Sequence, residues 1–354
     1  TLVGCAALVK TPYQTPSVQT PQQFQYDQTA KNTTFDRYAD HWWTLFGDPQ
    51  LNKLVDQVIA KNTDLAVAGI AIQQARLKAG LAADQQGPRV SSGVSTGHEI
   101  DLNSGDDSSQ GLSLSAVVSY EIDLFGKLAR QTEASKWEAL ATEQDLQATA
   151  QTLIGTTAKL YWQLAYLNES LATAKQSLAT SEKLYSLVNS QYKAGAVSGL
   201  DLTQAEQSVQ SQKANLSQIQ QSLVETRTAI AVLLHIPVQQ LNLQEPQRLP
   251  QVSLPQIAAG LPADILSRRP DLRASELRLR ESLANKDATT ASYYPSINLT
   301  GKLGSSSTSL TELIKNPALT LGASLSLPFL QYNDMKKNIA ISQLDYEKAI
   351  IQYR

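Results

Sequence analysis

The sequence predicts an internally duplicated α+β membrane protein in which two β-hairpins each feed a long α-helix. Three observations carry this fold class. A helix–breaker–strand segment occurs twice. Four stretches alternate apolar and small polar residues with a period of two. Between them an apolar residue recurs every seven positions from about Lys127 to Tyr192.

Composition narrows the class. The formal net charge of −2 gives no basic footprint for nucleic acid. No stretch approaches the roughly 18–20 apolar residues of a membrane-spanning helix, and the best run, Ala229 to Leu234, is far too short. Aromatic residues are only 6% of the chain, a texture of long, polar-coated helices. His41, His98, His235 and the single cysteine, Cys5, lie far apart in sequence and offer no obvious metal cluster or nucleophile–base pair. The expectation is therefore a protein that is not an enzyme and carries no cofactor or metal.

Cys5 opens the chain with two readings. A free cysteine is often a small buried apolar residue. Leu2-Val3-Gly4-Cys5 also has the form of a bacterial lipobox, in which cleavage precedes the cysteine and acyl chains are added to it. In that case residues 1–4 are the remnant of a signal peptide. Residues 5–35 are rich in Thr, Gln and Pro and read as an extended arm. Residues 36–63 read as short helices, the second started by Asp48-Pro49, with Trp42 and Trp43 as packing residues.

The repeat follows. "TDLAVAGIAIQQARLKAGLAADQQGPRV" begins with Asp64-Leu65, and "PDLRASELRLRESLANKDATTASYYPSI" with Asp271-Leu272. The offset from 64 to 271 is 207 residues, and it places Pro88 on Pro295 and Val90 on Ile297. Each copy is a helix of about 22 residues that ends near a proline and enters a strand. The first repeat is expected over 64–235 and the second over 263–354.

Alternation defines the strands. Leu112, Leu114, Ala116, Val118, Tyr120 and Ile122 share one face, with mostly Ser and acidic residues opposite. Leu319, Leu321, Ala323, Leu325 and Leu327 do the same, with Val90 to Ile100 and Ile297 to Leu303 as hairpin partners. The hairpins are expected over about 89–123 and 296–327, and their strand lengths suit a tilted crossing of a bilayer. Leu112, Leu114, Val118, Leu319, Leu321 and Leu325 are the candidate lipid-facing row. Tyr293 and Tyr294, just before a strand, suit an interfacial girdle, with a core role as the alternative.

The helical hairpin occupies about 127–235. Leu146, Leu153, Leu160 and Leu167 form one heptad row, with Leu164, Leu171, Leu178, Tyr185 and Tyr192 beside it. That run is roughly 100 Å of helix at 1.5 Å per residue. "KAGAVSGLD" breaks it, with Gly195 and Gly199 read as reversing the chain. The return helix carries Leu202, Val209, Leu216, Leu223 and Ile230. Residues 236–262 are a linker, and a long helix starts again near Asn333.

Four strands with one apolar face cannot close a barrel alone, and lipid does not tolerate open strand edges. Several copies must contribute: two give eight strands, three give twelve.

The sequence resembles the outer membrane factor family, the TolC-type channels of tripartite efflux systems, in its lipoprotein branch. The residues that carry the resemblance are Leu2-Val3-Gly4-Cys5, Pro12-Tyr13-Gln14-Thr15-Pro16, and Trp43 with Phe46-Gly47-Asp48-Pro49-Gln50-Leu51. They continue with Tyr120-Glu121-Ile122-Asp123-Leu124-Phe125-Gly126-Lys127 and Gly195 with Leu200-Asp201-Leu202. The last group is Leu261-Pro262, Arg268-Arg269-Pro270-Asp271-Leu272 and Ala274-Ser275-Glu276.

The resemblance implies a homotrimer with a twelve-stranded outer-membrane barrel and a periplasmic α-helical tunnel. It implies a passive exit duct for an inner-membrane proton-driven pump, reached through a periplasmic adaptor, with cargo such as drugs or metal ions. A type I protein-secretion duct and a non-channel coiled-coil lipoprotein scaffold are the alternatives. The resemblance also implies acylation of Cys5 into outer-membrane lipid, adaptor docking at Ala194, Gly195, Ala196, Val197, Ser198 and Gly199, and a gate contact by Asp201. Asp201 reads equally as a helix N-cap. Arg268 to Asp271 read as capping and anchoring the second copy. Two departures accompany the resemblance. At the 207-residue offset the second copy would continue well beyond Arg354, so it is expected to be C-terminally truncated, without its own tip. The fourth strand exits through "LQYNDMKKN", which keeps Lys336 and Lys337 but lacks the family's glycine.

Overall fold

Proline and aspartate start the first helix. In the computed structural model, α1 (Pro49–Lys61) has Asp48 as N-cap, whose carboxylate accepts from the Gln50 and Leu51 amides at 2.8 and 3.1 Å. The structure describes residues 9–17, 41–100, 107–250, 268–307, 315 and 317–354. The expectations for Cys5, for residues 1–4 and for parts of the arm, the hairpin loops and the linker lie outside the described residues.

Asn62 joins α1 to α2 (Thr63–Asp84). Its side-chain oxygen accepts from the Asp64 amide at 2.9 Å, and its amide donates to the Leu233 carbonyl at 3.1 Å. That second bond holds the C-terminus of α4 (Gly199–Leu233). α3 (Lys127–Lys193) is a single helix of 67 residues. Later elements are α5 (Pro270–Ala291) and α6 (Tyr332–Tyr353).

The chain divides into two units, and each has its own interior. One contains Gln22–Gly69 and Leu146–Asp264. Its core joins Leu51, Leu54, Val55 and Val58 of α1 to Leu153, Ile154, Tyr161 and Leu164 of α3 and Leu223 and Ile230 of α4. The heptad rows of the sequence supply Leu153, Leu164, Leu223 and Ile230 of this core, while Ile154 and Tyr161 lie off them, and Leu164 and Ile230 are fully buried. α3 and α4 run antiparallel, because Glu182 pairs with Lys213 at 4.0 Å while Leu164 and Ile230 share one cluster. Trp43 is buried and meets Trp42 edge-on at 6.3 Å. The Tyr161 hydroxyl donates to Asp48 at 2.9 Å, so the carboxylate that caps α1 also fixes it to α3.

The other unit contains Thr1–Pro21, Ile70–Asp145 and Ile265–Arg354. It carries one sheet of β1 (Arg89–Ile100), β2 (Asp107–Ile122), β3 (Ser296–Ser307) and β4 (Ala318–Ser326), antiparallel throughout and in that order. The sequence reading yields two hairpins; the structure joins them through β2 and β3, from Ile122↔Ile297 to Leu112↔Ser307. In the same unit, α5 buries Leu279, Leu283, Ala284, Ala288 and Ala291. Asp271 lies in the first turn of α5 and pairs with Arg269, but no side chain caps that helix from the Arg269 position. The pair is exposed and anchors little.

Candidate membrane face and helical tip

The register of the sheet decides which side chains share a face. Directly paired residues of antiparallel strands project to the same side. Val118 pairs with Val90 on one side and Gly301 on the other, and Gly301 pairs with Leu321. Leu114 pairs with Val94, Leu303 with Leu319, and Ile297 with Leu325. The apolar rows of all four strands therefore fall on one face, which includes Leu112 beside Thr96. Leu114, Val118, Leu319, Leu321 and Leu325 are exposed on it, Leu321 by 77%. The opposite face carries Ser91, Ser95, Ser113, Ser115, Ser119, Thr300, Lys302 and Thr320. Exposed leucines in such a row form a patch of the kind that marks a protein or membrane contact.

A rigid corner connects this sheet to α3. Asp123 accepts from the Leu128 and Ala129 amides at 3.2 and 2.8 Å, so the residue that follows β2 caps the helix. Gly126 takes φ +78°, a left-handed conformation that costs other residues energy. Lys127 pairs with Glu121 across the turn. The Phe125 ring lies 4.6 Å from that of Tyr294, at the matching entry into β3. Tyr294 is thus half packed and half exposed, while the Tyr293 hydroxyl accepts from Asn338 at 2.7 Å.

The helical tip is a Schellman turn followed by a capping box. The Ala196 amide donates to the Gln191 carbonyl at 2.8 Å and the Gly195 amide to Tyr192 at 2.9 Å, with Gly195 at φ +73°. Gly199 has an ordinary φ and is the first residue of α4, so Gly195 alone makes the left-handed turn. The N-cap is Ser198, not Asp201. The Ser198 hydroxyl accepts from the Asp201 amide, and Asp201 Oδ2 accepts from the Ser198 amide at 2.8 Å and its hydroxyl at 2.6 Å. Hydrogen bonds from the Ser198 side chain and then its backbone hold the Asp201 carboxyl below the usual aspartate range. Ala194, Gly195, Ala196 and Ser198 are exposed, and Val197 is half-buried.

Sequence reasoning missed a charged cleft of about 520 Å³ between α2, α3 and α5, lined by Lys78, Glu138, Asp145, Arg278, Glu281 and Asn285. Arg278 Nη1 donates to Asp145 at 3.2 Å, and Arg278 Nε pairs with Glu138 at 3.3 Å. Burial pushes the Glu281 carboxyl up to about 7; the neighbouring Glu138 carboxylate adds to the rise and Arg278 opposes it. Among the described residues, no group of three His, Cys, Asp or Glu is placed to hold a metal, and no helix is long and apolar enough to cross a membrane.

Comparison with known proteins fits this geometry. The family described as "Outer membrane efflux protein" matches residues 54–234 and 261–354. The chain belongs to the outer membrane efflux protein family, a family of transport proteins of the outer membrane. Toxin and drug export protein A of Aggregatibacter actinomycetemcomitans is 31% identical over 93% of this chain and 71% of its own. The probable outer membrane lipoprotein SilC of Salmonella typhimurium is 26% identical over 99% of this chain and 77% of its own. The open state of the Neisseria gonorrhoeae MtrE outer membrane channel superposes with a TM-score of 0.82 at 28% identity, over 97% of this chain and 77% of that one.

The Glu281 carboxyl generates a pH dependence. An ordinary glutamate titrates at 4.5, so between about 4.5 and 7 the folded state holds a proton that the unfolded state has lost. Stability from this group is full below 4.5 and is lost as pH rises through 7. Discounted for partial exposure, the loss is about 1–2 kcal/mol. Urea unfolding of Glu281→Gln is expected to lack this fall between pH 5 and 8; an unchanged slope contradicts it.

Proposed function

We propose that the protein is the outer-membrane exit duct of a tripartite efflux system, acting as a homotrimer whose three four-stranded sheets close a twelve-stranded barrel. The observation that carries the reading is the register that gathers the apolar rows of four strands onto one exposed face. β1 and β4 are the outer strands of an all-antiparallel sheet, so β4 of one copy meets β1 of the next in antiparallel sense, and repetition closes the ring without an edge. Twelve strands leave a water-filled lumen, onto which the Ser, Thr and Lys302 face then opens. The helices form the periplasmic tunnel. An adaptor and a proton-driven pump complete the path and supply the energy, so the duct itself is passive and performs no catalysis.

In this reading the orders α2-β1-β2-α3 and α5-β3-β4-α6 are two copies of one ancestral unit, over 64–235 and 263–354. Small molecules such as drugs or metal ions are the cargo. The paired toxin and drug export in the name of the Aggregatibacter relative favours protein cargo as the second reading. Cys5 carries the lipid anchor, a reading that SilC's description as a lipoprotein supports.

Ala194 to Gly199 dock the adaptor, and Asp201 contributes to the resting gate through a cationic or hydroxyl partner on a neighbouring helix. Substitution at Gly195 tests docking poorly, because its positive φ strains the turn under any side chain. Ala196→Trp is expected to abolish efflux in cells while the trimer stays assembled; full efflux contradicts docking. In planar bilayers Asp201→Ala is expected to raise single-channel conductance. Ser198→Ala, which removes the cap hydroxyl alone, is the control and keeps the resting value. Equal conductance in all three proteins leaves Asp201 with capping only.

A further inference from the structure

We infer that buried Asp287 on α5 is the docking site for the N-terminal segment around Thr11 and positions the lipid anchor beside the sheet. Asp287 is only 3% exposed. Its two oxygens accept from Thr11, Oδ2 from the amide and Oδ1 from the hydroxyl, both at 2.7 Å and across 276 residues of sequence. A carboxylate buried this deeply requires such donors, and the segment supplies them. Further contacts hold the same segment. Val9 is buried, and Lys10 pairs with Glu133 of α3 at 3.8 Å. The Arg280 guanidinium lies 4.4 Å from the centre of the Tyr13 ring and 5.3 Å from that of Trp137. Residues that read in sequence as a loose arm are therefore clasped against both α3 and α5.

The position of the clasp gives it a purpose. Asp287 sits in the last turns of α5, which ends at Ala291, and β3 begins at Ser296. Cys5 precedes Thr11 by six residues, which span at most about 20 Å when extended. An acyl group on Cys5 is thereby tethered within about 20 Å of Thr11, a reach that includes the start of β3. The clasp rests on the proposed acylation of Cys5 for its purpose but not for its existence.

The test follows hydrogen exchange of residues 9–17 in the full-length protein, with fatty-acid labelling of Cys5 measured in parallel. Asp287→Ala is expected to speed exchange of the Thr11 amide at least about ten-fold, with α5 protection and Cys5 label retained. Thr11→Val, which removes only the hydroxyl donor and lies outside any helix, is expected to speed it by a smaller factor. Cys5→Ser is expected to lose the label and keep the protection. Unchanged exchange in both Asp287→Ala and Thr11→Val overturns the clasp. Loss of protection in Cys5→Ser overturns it as well, because the lipid would then be holding the segment. Absence of label in the unaltered protein overturns acylation alone and leaves the clasp to the exchange data.

Discussion

Hydrocarbon offers no water to a backbone amide, and this constraint governs the sheet. In the proposed reading, the apolar face built from Val90, Val94, Leu114, Val118, Leu303, Leu319, Leu321 and Leu325 lies in lipid. The outward edges of β1 and β4 do not, because each unpaired group there costs several kcal/mol. One chain cannot resolve that conflict. In the proposed trimer, closure between copies resolves it, and the all-antiparallel order of the four strands permits closure without a change of direction.

Everything near the sheet is arranged to hold that register. The Asp123 cap, the left-handed Gly126 and the Phe125–Tyr294 contact fix where α3 leaves β2, next to where α5 delivers β3. Since a one-residue slip would turn every leucine of a strand to the other face, such corners protect the apolar row. In the other unit the same economy appears in Asp48 and Asn62. Each caps a helix and also bonds a distant one, to Tyr161 and to the Leu233 carbonyl.

Much of this was legible in the sequence because it is periodic. Period two marked the strand faces, and the heptads marked Leu153, Leu164, Leu223 and Ile230, which are buried in the helical core. Trp43 packs inside as expected. The tip was read less well. Ser198-Gly199-Leu200-Asp201 is a capping box written in four residues, yet the sequence reading offers Asp201 as an N-cap beside its gate role and Gly199 as a turn residue. The signal was present and local. The pairing of β2 with β3, the Arg278–Asp145 contact of the charged cleft and the Thr11–Asp287 clasp were not legible, because each joins residues more than a hundred positions apart that carry no shared period.

The central claim is that one face of the sheet meets lipid and the other meets water. Leu321 and its neighbour Thr320 lie in the middle of β4 and point to opposite faces, towards Gly301 and Lys302 respectively. Unfolding free energy in phospholipid bilayers, measured for Leu321→Arg and Thr320→Arg, separates the two faces most directly. The account predicts a loss of about 2–4 kcal/mol for Leu321→Arg and little change for Thr320→Arg. Equal losses at the two positions, or a greater loss at Thr320, would contradict it.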